Sequence, residues 1–219
     1  MIVEGFAQRF IQRATGLVSA RLTANQSLAV AQVEGEGDEI TRAGLRYHMS
    51  GLGAAGVAPV QALPSTAAQW LIYNPISNPV VAFLDRLGVT LLSGTAGAGG
   101  AVLACIMPPK FAPNTIPTVS TSGIVVQNAN AISAKSSNLI VASGQTLQNA
   151  AAGNWFPIAE MNPNGTLLGQ TYLDSGWDIR GKLAIPPGCG IALAVISPTG
   201  TTPLYVPIAS WREYAADVE

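Results

Sequence analysis

Beyond residue 67, apolar residues come in runs of strand length, and Pro, Gly and Asn stand between the runs. Residues 67–73 form the first run and stop at Asn74-Pro75; Asn78-Pro79 opens the longest, residues 80–92. In that run Val81, Phe83, Asp85, Leu87 and Val89 share one phase, and Val80, Ala82, Leu84, Arg86 and Gly88 share the other. Both phases are mostly apolar around a central Asp85-Arg86. This predicts a strand covered on both faces or lying in a subunit interface, with Asp85 and Arg86 as its candidate interface residues. Further strands are predicted at 101–107, 138–142, 154–159, 167–173, 178–185, 191–197 and 204–211. Residues 109–130, rich in Pro, Thr and Ser, read as a long connection, an excursion over a neighbour. About eight strands separated by turn signals predict an all-β fold, an antiparallel β-sandwich or jelly roll.

The N-terminal part is patterned differently. Phe6, Phe10 and Ile11 share one face of a short helix, with Arg9 and Arg13 near its edge. A segment this short needs a partner to stay helical, so Phe6, Arg9, Phe10 and Arg13 are candidate docking residues. Residues 27–33 read as a strand, 34–39 as an acidic turn and 40–49 as the returning strand of a hairpin with a charged tip. The expected organisation is an N-terminal arm and hairpin, 1–50, followed by a sandwich, 51–219. No helical periodicity is evident after residue 20.

Charge sharpens this division. Residues 1–46 hold ten of the 23 charged side chains, and residues 47–84 hold none. The whole chain is 48% apolar but only 11% charged, against about 25% in ordinary soluble domains. So neutral a surface predicts coverage by other subunits. A net charge of -1 favours neither nucleic acid nor an anionic membrane. The sequence opens without the basic and apolar regions of a secretory signal, and glycines interrupt its longest charge-free apolar tract, so a soluble protein is expected. Cys105 and Cys189, each in or beside an apolar run, read as buried free thiols.

Candidate chemistry is sparse. His48 is the one histidine, which leaves zinc or iron short of its usual ligands, and no cofactor is expected. The glycine loop at 94–100 has the order G-x-x-G-x-G-G and leads into a strand, unlike a dinucleotide or phosphate loop. Asp174 and Asp178 flank Trp177, a spacing that a sugar platform or a plain turn would equally produce.

Three stretches carry a resemblance. They are Leu45-Arg-Tyr-His-Met49 followed by Ala68-Gln-Trp-Leu-Ile-Tyr-Asn-Pro75; Leu92-Ser-Gly-Thr-Ala-Gly-Ala-Gly-Gly100; and Ile185-Pro-Pro-Gly188, Ile191-Ala-Leu-Ala-Val195 and Trp211-Arg-Glu213. In texture and order they resemble jelly-roll structural proteins of tailed-bacteriophage virions, over residues 45–213. The resemblance implies a non-enzymatic virion protein, made in the host cytoplasm, that decorates and cements a capsid as a homotrimer. Its partners would be its own copies and the major capsid protein or another virion protein. The alternative is a phage tail or receptor-binding module that binds glycans, with Trp155 and Trp177 as the platform. An enzyme on the same scaffold, such as a cupin, would need more histidines than this chain has.

Overall fold

The computed structural model describes residues 20–22, 28–30, 36–94, 99–160, 175–197 and 203–215. The chain divides into two compact units, 1–43 and 44–219.

In the first unit β1 (Ala20–Leu22) pairs antiparallel with β2 (Leu28–Val30). Helix α1 (Glu36–Arg42) follows, with Arg42 in its last turn. The expected hairpin over 27–49 is therefore not formed. The order of the sequence, acidic residues first and Arg42 in the last turn, is the one that the peptide dipoles of a helix favour. Gly44, at φ 67°, marks the break that follows. The candidate arm residues Phe6, Arg9, Phe10 and Arg13 lie outside the described residues.

The second unit is a sandwich of two five-stranded antiparallel sheets. Its strands are β3 (Arg46–Ser50), β4 (Ala67–Tyr73), β5 (Val80–Ser93), β6 (Ala101–Met107), β7 (Val125–Asn128), β8 (Ile140–Thr146), β9 (Phe156–Glu160), β10 (Ser175–Ile185), β11 (Gly190–Ile196) and β12 (Leu204–Ala215). Sheet I has the order β10-β5-β12-β3-β7 and sheet II the order β8-β4-β11-β6-β9. The pairing is nested: β3 with β12, β4 with β11, β5 with β10, β6 with β9. Strands β7 and β8 extend the two sheets beside β3 and β4. The unit boundary falls before β3, not after residue 50. Tyr47 and Met49 of β3 alternate inward and belong to the core, which binds this strand to the body. Residues 167–173, expected as a strand, lie outside the described residues.

The central core lies between the sheets. Tyr47, Trp70, Ile72, Leu84, Leu87, Ile191, Leu193 and Trp211 meet there, all buried. A second apolar layer covers the other side of sheet II, where Leu71, Tyr73, Leu103 and Cys105 pack against Phe111, Leu147, Ala150 and Trp155. Sheet II is thus covered on both faces by its own chain. This accounts for the unbroken apolar runs of β4, β6 and β11. It also corrects the reading of 109–130 as an excursion over a neighbour. Phe111 is buried on sheet II, and β7 forms within the stretch. The side chains of Ser120 and Thr121 accept the backbone N–H groups of Val141 and Ser143 at 3.0 and 2.9 Å, which caps the outer edge of β8.

The alternation expected along β5 is broken at its centre. Ser210 pairs with Arg86 and Trp211 with Leu84, so Asp85 is bulged out of the ladder with β12. Ala82 and Leu84 are buried before the bulge, Leu87 and Val89 after it. Asp85 thereby leaves the apolar phase to which simple alternation assigned it.

Candidate functional site: the outer face of sheet I

The outer face of sheet I carries the polar chemistry of the body. One row crosses all five strands. Asp178 of β10 stands opposite Arg86 of β5, Arg86 opposite Ser210 of β12, Ser210 opposite His48 of β3, and His48 opposite Gln127 of β7. Arg86, His48, Gln127 and Asp178 are exposed. Beside this row Arg46 stands opposite Arg212, and the bulged Asp85 lies between them. Asp85 Oδ2 accepts Arg46 Nη2 at 3.0 Å and Arg46 Nε at 3.3 Å. Its other oxygen, Oδ1, lies 3.0 Å from Arg212 Nε. One carboxylate bridges two guanidiniums that would otherwise repel each other across adjacent strands.

The edge strand β10 shelters this cluster. Between Asp178 and Leu183 it runs through four residues while β5 spends only Asp85. Within that bulge Ile179 is buried, and Arg180 and Gly181 take φ values of 51° and 72°. A Cβ at residue 181 would fall on the Arg212 guanidinium. Glycine is thus what allows the bulge to close over the Asp85–Arg212 pair. Arg180 Nε turns outward and donates to Asp178 Oδ2 at 2.6 Å. An edge strand bulged and charged in this way is also a poor template for strand addition.

Five of the seven Lys and Arg residues in 44–219 lie on this sheet: Arg46, Arg86, Arg180, Lys182 and Arg212. Among the described residues, Asp85 and Asp178 stand against them on the outer face, while Glu213 of β12 points inward. His48 titrates below the ordinary imidazole range. Partial desolvation by the sheet is the main cause, the neighbouring Arg46 adds to it, and Asp85 opposes it. At the periphery Phe83 and Tyr214 meet edge to face, centroids 5.6 Å apart.

A second polar cluster lies at the end of the sandwich where β4 turns into β5. Glu213, only 2% exposed, points inward beside Trp211. Its carboxylate accepts the Ser137 hydroxyl at 2.5 Å, the Asn138 side-chain amide at 2.7 Å and the Trp211 indole N–H at 2.9 Å. The backbone N–H of Asn138 also donates to it. The network continues through Asn78, which donates to the Asn138 carbonyl at 2.6 Å and to Asn74 Oδ1 at 2.9 Å. Asn74, fully buried, donates to the carbonyls of Val80 and Ile185. Every partner is part of the scaffold, so this cluster fastens loops. Sequence reasoning read Asn74-Pro75 and Asn78-Pro79 only as strand boundaries. The remaining signal was Glu213 itself, a carboxylate close to Trp211 and Tyr214 in an apolar strand.

The other candidates separate. Asp85 and Arg86 come together on the sheet I face. Trp155 does not offer a platform. Its side chain is buried in the outer layer of sheet II, and its indole N–H donates to the Ser65 carbonyl at 2.8 Å. The backbone of Trp177 pairs with Leu87, and its side chain lies outside the described residues. Cys105 is buried, Cys189 half-buried, and both thiols are free. Among the described residues, no three His, Cys, Asp or Glu side chains are grouped so as to hold a metal ion, and no helix is long and apolar enough to cross a membrane. Comparison with protein-family models, curated proteins and solved structures finds no match.

Proposed function

We propose that this protein is a non-enzymatic structural component of a bacteriophage virion, one that decorates and cements the capsid as a homotrimer. The observation that carries this reading is the asymmetry of the two sheets. The outer face of sheet II is closed by the chain's own loops, whereas sheet I presents an exposed row of polar and cationic side chains on a rigid ladder. A rigid scaffold with one prepared face suits permanent association better than turnover. The nested pairing of eight strands supports assigning the sandwich to the jelly rolls, a frequent scaffold of capsid proteins. The low charge of the whole chain supports burial among neighbours. A cement acts by binding the assembled shell better than free subunits, which raises the stability of the shell by mass action.

The test is addition of the purified protein to particles that lack it. The expected result is co-sedimentation with the shells and a higher temperature of genome release. Failure to bind intact shells overturns the proposal. The tail or receptor-binding alternative loses Trp155 as a platform. A glycan array on which the protein binds, with binding abolished by Trp177→Ala, would restore it.

A further inference from the structure

We infer that the cationic outer face of sheet I is a self-association surface, and that its occupant is the acidic stretch 34–39 of a second copy of this chain. The inference deepens the homotrimer part of the proposed function and rests on it.

The argument is one of charge complementarity. Glu34, Glu36, Asp38 and Glu39 place four carboxylates within six residues, with no cation among them. Among the described residues, the outer face of sheet I carries five cations, Arg46, Arg86, Arg180, Lys182 and Arg212, against the two anions Asp85 and Asp178. Asp85 already engages Arg46 and Arg212, so it bridges the middle of the face. Arg86, Arg180 and Lys182, all exposed on β5 and β10, carry the charge toward the edge of the sheet. The two complementary halves occur in one chain whose net charge is -1. A second copy therefore matches the face without any foreign acidic partner. Passed in one direction from copy to copy, contact of one copy's acidic stretch with the next copy's sheet is heterologous, and such an interface forms a ring where its rotation closes. Ion pairs of this kind set register and association rate, and they weaken as salt screens them.

The experiment uses the full chain and measures mass in solution by sedimentation equilibrium. Wild type is expected to be oligomeric at low ionic strength and to dissociate as salt is raised. Arg180→Glu with Lys182→Glu reverses the face at exposed positions, and Glu34→Lys with Glu36→Lys reverses the stretch. Each pair alone is expected to yield monomers at low ionic strength, with a melting profile that matches the wild type at high salt, where the wild type too is dissociated. All four substitutions together are expected to restore the oligomer. A salt-insensitive oligomer, an oligomer that survives either reversal, or a fourfold variant that stays monomeric overturns the inference. Those outcomes leave the capsid role standing. A wild-type oligomer that behaves as expected yet ignores intact shells overturns the capsid role and leaves the inference standing. A wild-type monomer overturns both the inference and the trimer.

Discussion

The indole N–H of Trp211 donates to Oε1 of Glu213 at 2.9 Å, two residues further along the same strand. Both side chains are buried, and the carboxylate that receives the indole also receives Ser137 and Asn138. An inward carboxylate at the end of an apolar strand is tolerated because its lone pairs are met by donors.

Glu213→Gln puts an amide NH2 where only donors point. Chemical denaturation should show a loss of about 1–3 kcal/mol, the cost of leaving buried polar groups unpaired. Glu213→Ala should lose at least as much, because the donors of Ser137, Asn138 and Trp211 are then all orphaned. Unchanged stability in both variants would show that the network does not fasten the loop.

Gly181→Ala should destabilise the fold by about 1–3 kcal/mol, since a side chain is strained at positive φ and its Cβ would displace the Arg212 guanidinium. Asp85→Ala should cost about 1–2 kcal/mol, by leaving Arg46 and Arg212 facing each other across the β3–β12 ladder. The two losses should add to less than their sum, because both substitutions disturb the same ion pair. A double-mutant cycle by thermal or urea unfolding measures this directly.

The folded state holds the pKa of His48 below its ordinary value, chiefly through desolvation and secondarily through Arg46. The unfolded chain therefore binds a proton more readily than the folded one. The resulting stability is present above the unfolded value, about 6.5, and is lost as pH falls through the depressed folded value. His48→Gln should flatten the pH dependence of the unfolding midpoint below neutrality. An identical slope in the variant would assign that dependence to other groups.

Burial pushes the Cys105 thiol up to about 11 and raises that of Cys189 as well. Thiolate is the reactive form, so alkylation at neutral pH should be slow at both sites. Cys189, half-buried, should react first; Cys105 should react only as the sandwich opens. Mass spectrometry of timed alkylation follows both. Prompt labelling of Cys105 in native protein would contradict its place under the Phe111 and Trp155 layer.

The strands of the body were legible in the sequence because apolar runs between Pro, Gly and Asn have few other solutions. What escaped was set by partners far along the chain. β7 (Val125–Asn128) hid in a Pro- and Ser-rich stretch because its ladder partner, β3, lies about eighty residues earlier. The bulge at Asp85 was invisible to a period-two rule, since only the registers of β10 and β12 reveal it. β4, β6 and β11 are apolar on both phases because the chain's own Phe111, Leu147, Ala150 and Trp155 cover the outer side of sheet II, a contact far along the chain that no local pattern shows. The hairpin expected at 27–49 failed because apolar residues at Ile40 and beyond fit both a strand and a helix, and local charge favoured the helix. Asp85 and Arg86 were found from their position in an apolar strand. Arg46 and Arg212 were not, because cross-strand neighbours are a property of the sheet.

β12 lies between β5 and β3 in the middle of sheet I. During synthesis the ribosome therefore releases the flanking strands long before their shared partner. Until residues 204–215 emerge, Trp211 is absent from the core, and the edges of β3 and β5 that it will occupy remain open. Such long-range closure folds slowly and exposes adhesive edges while it waits. Chains cut short before β12 should be captured by chaperones or aggregate rather than persist as smaller folded domains.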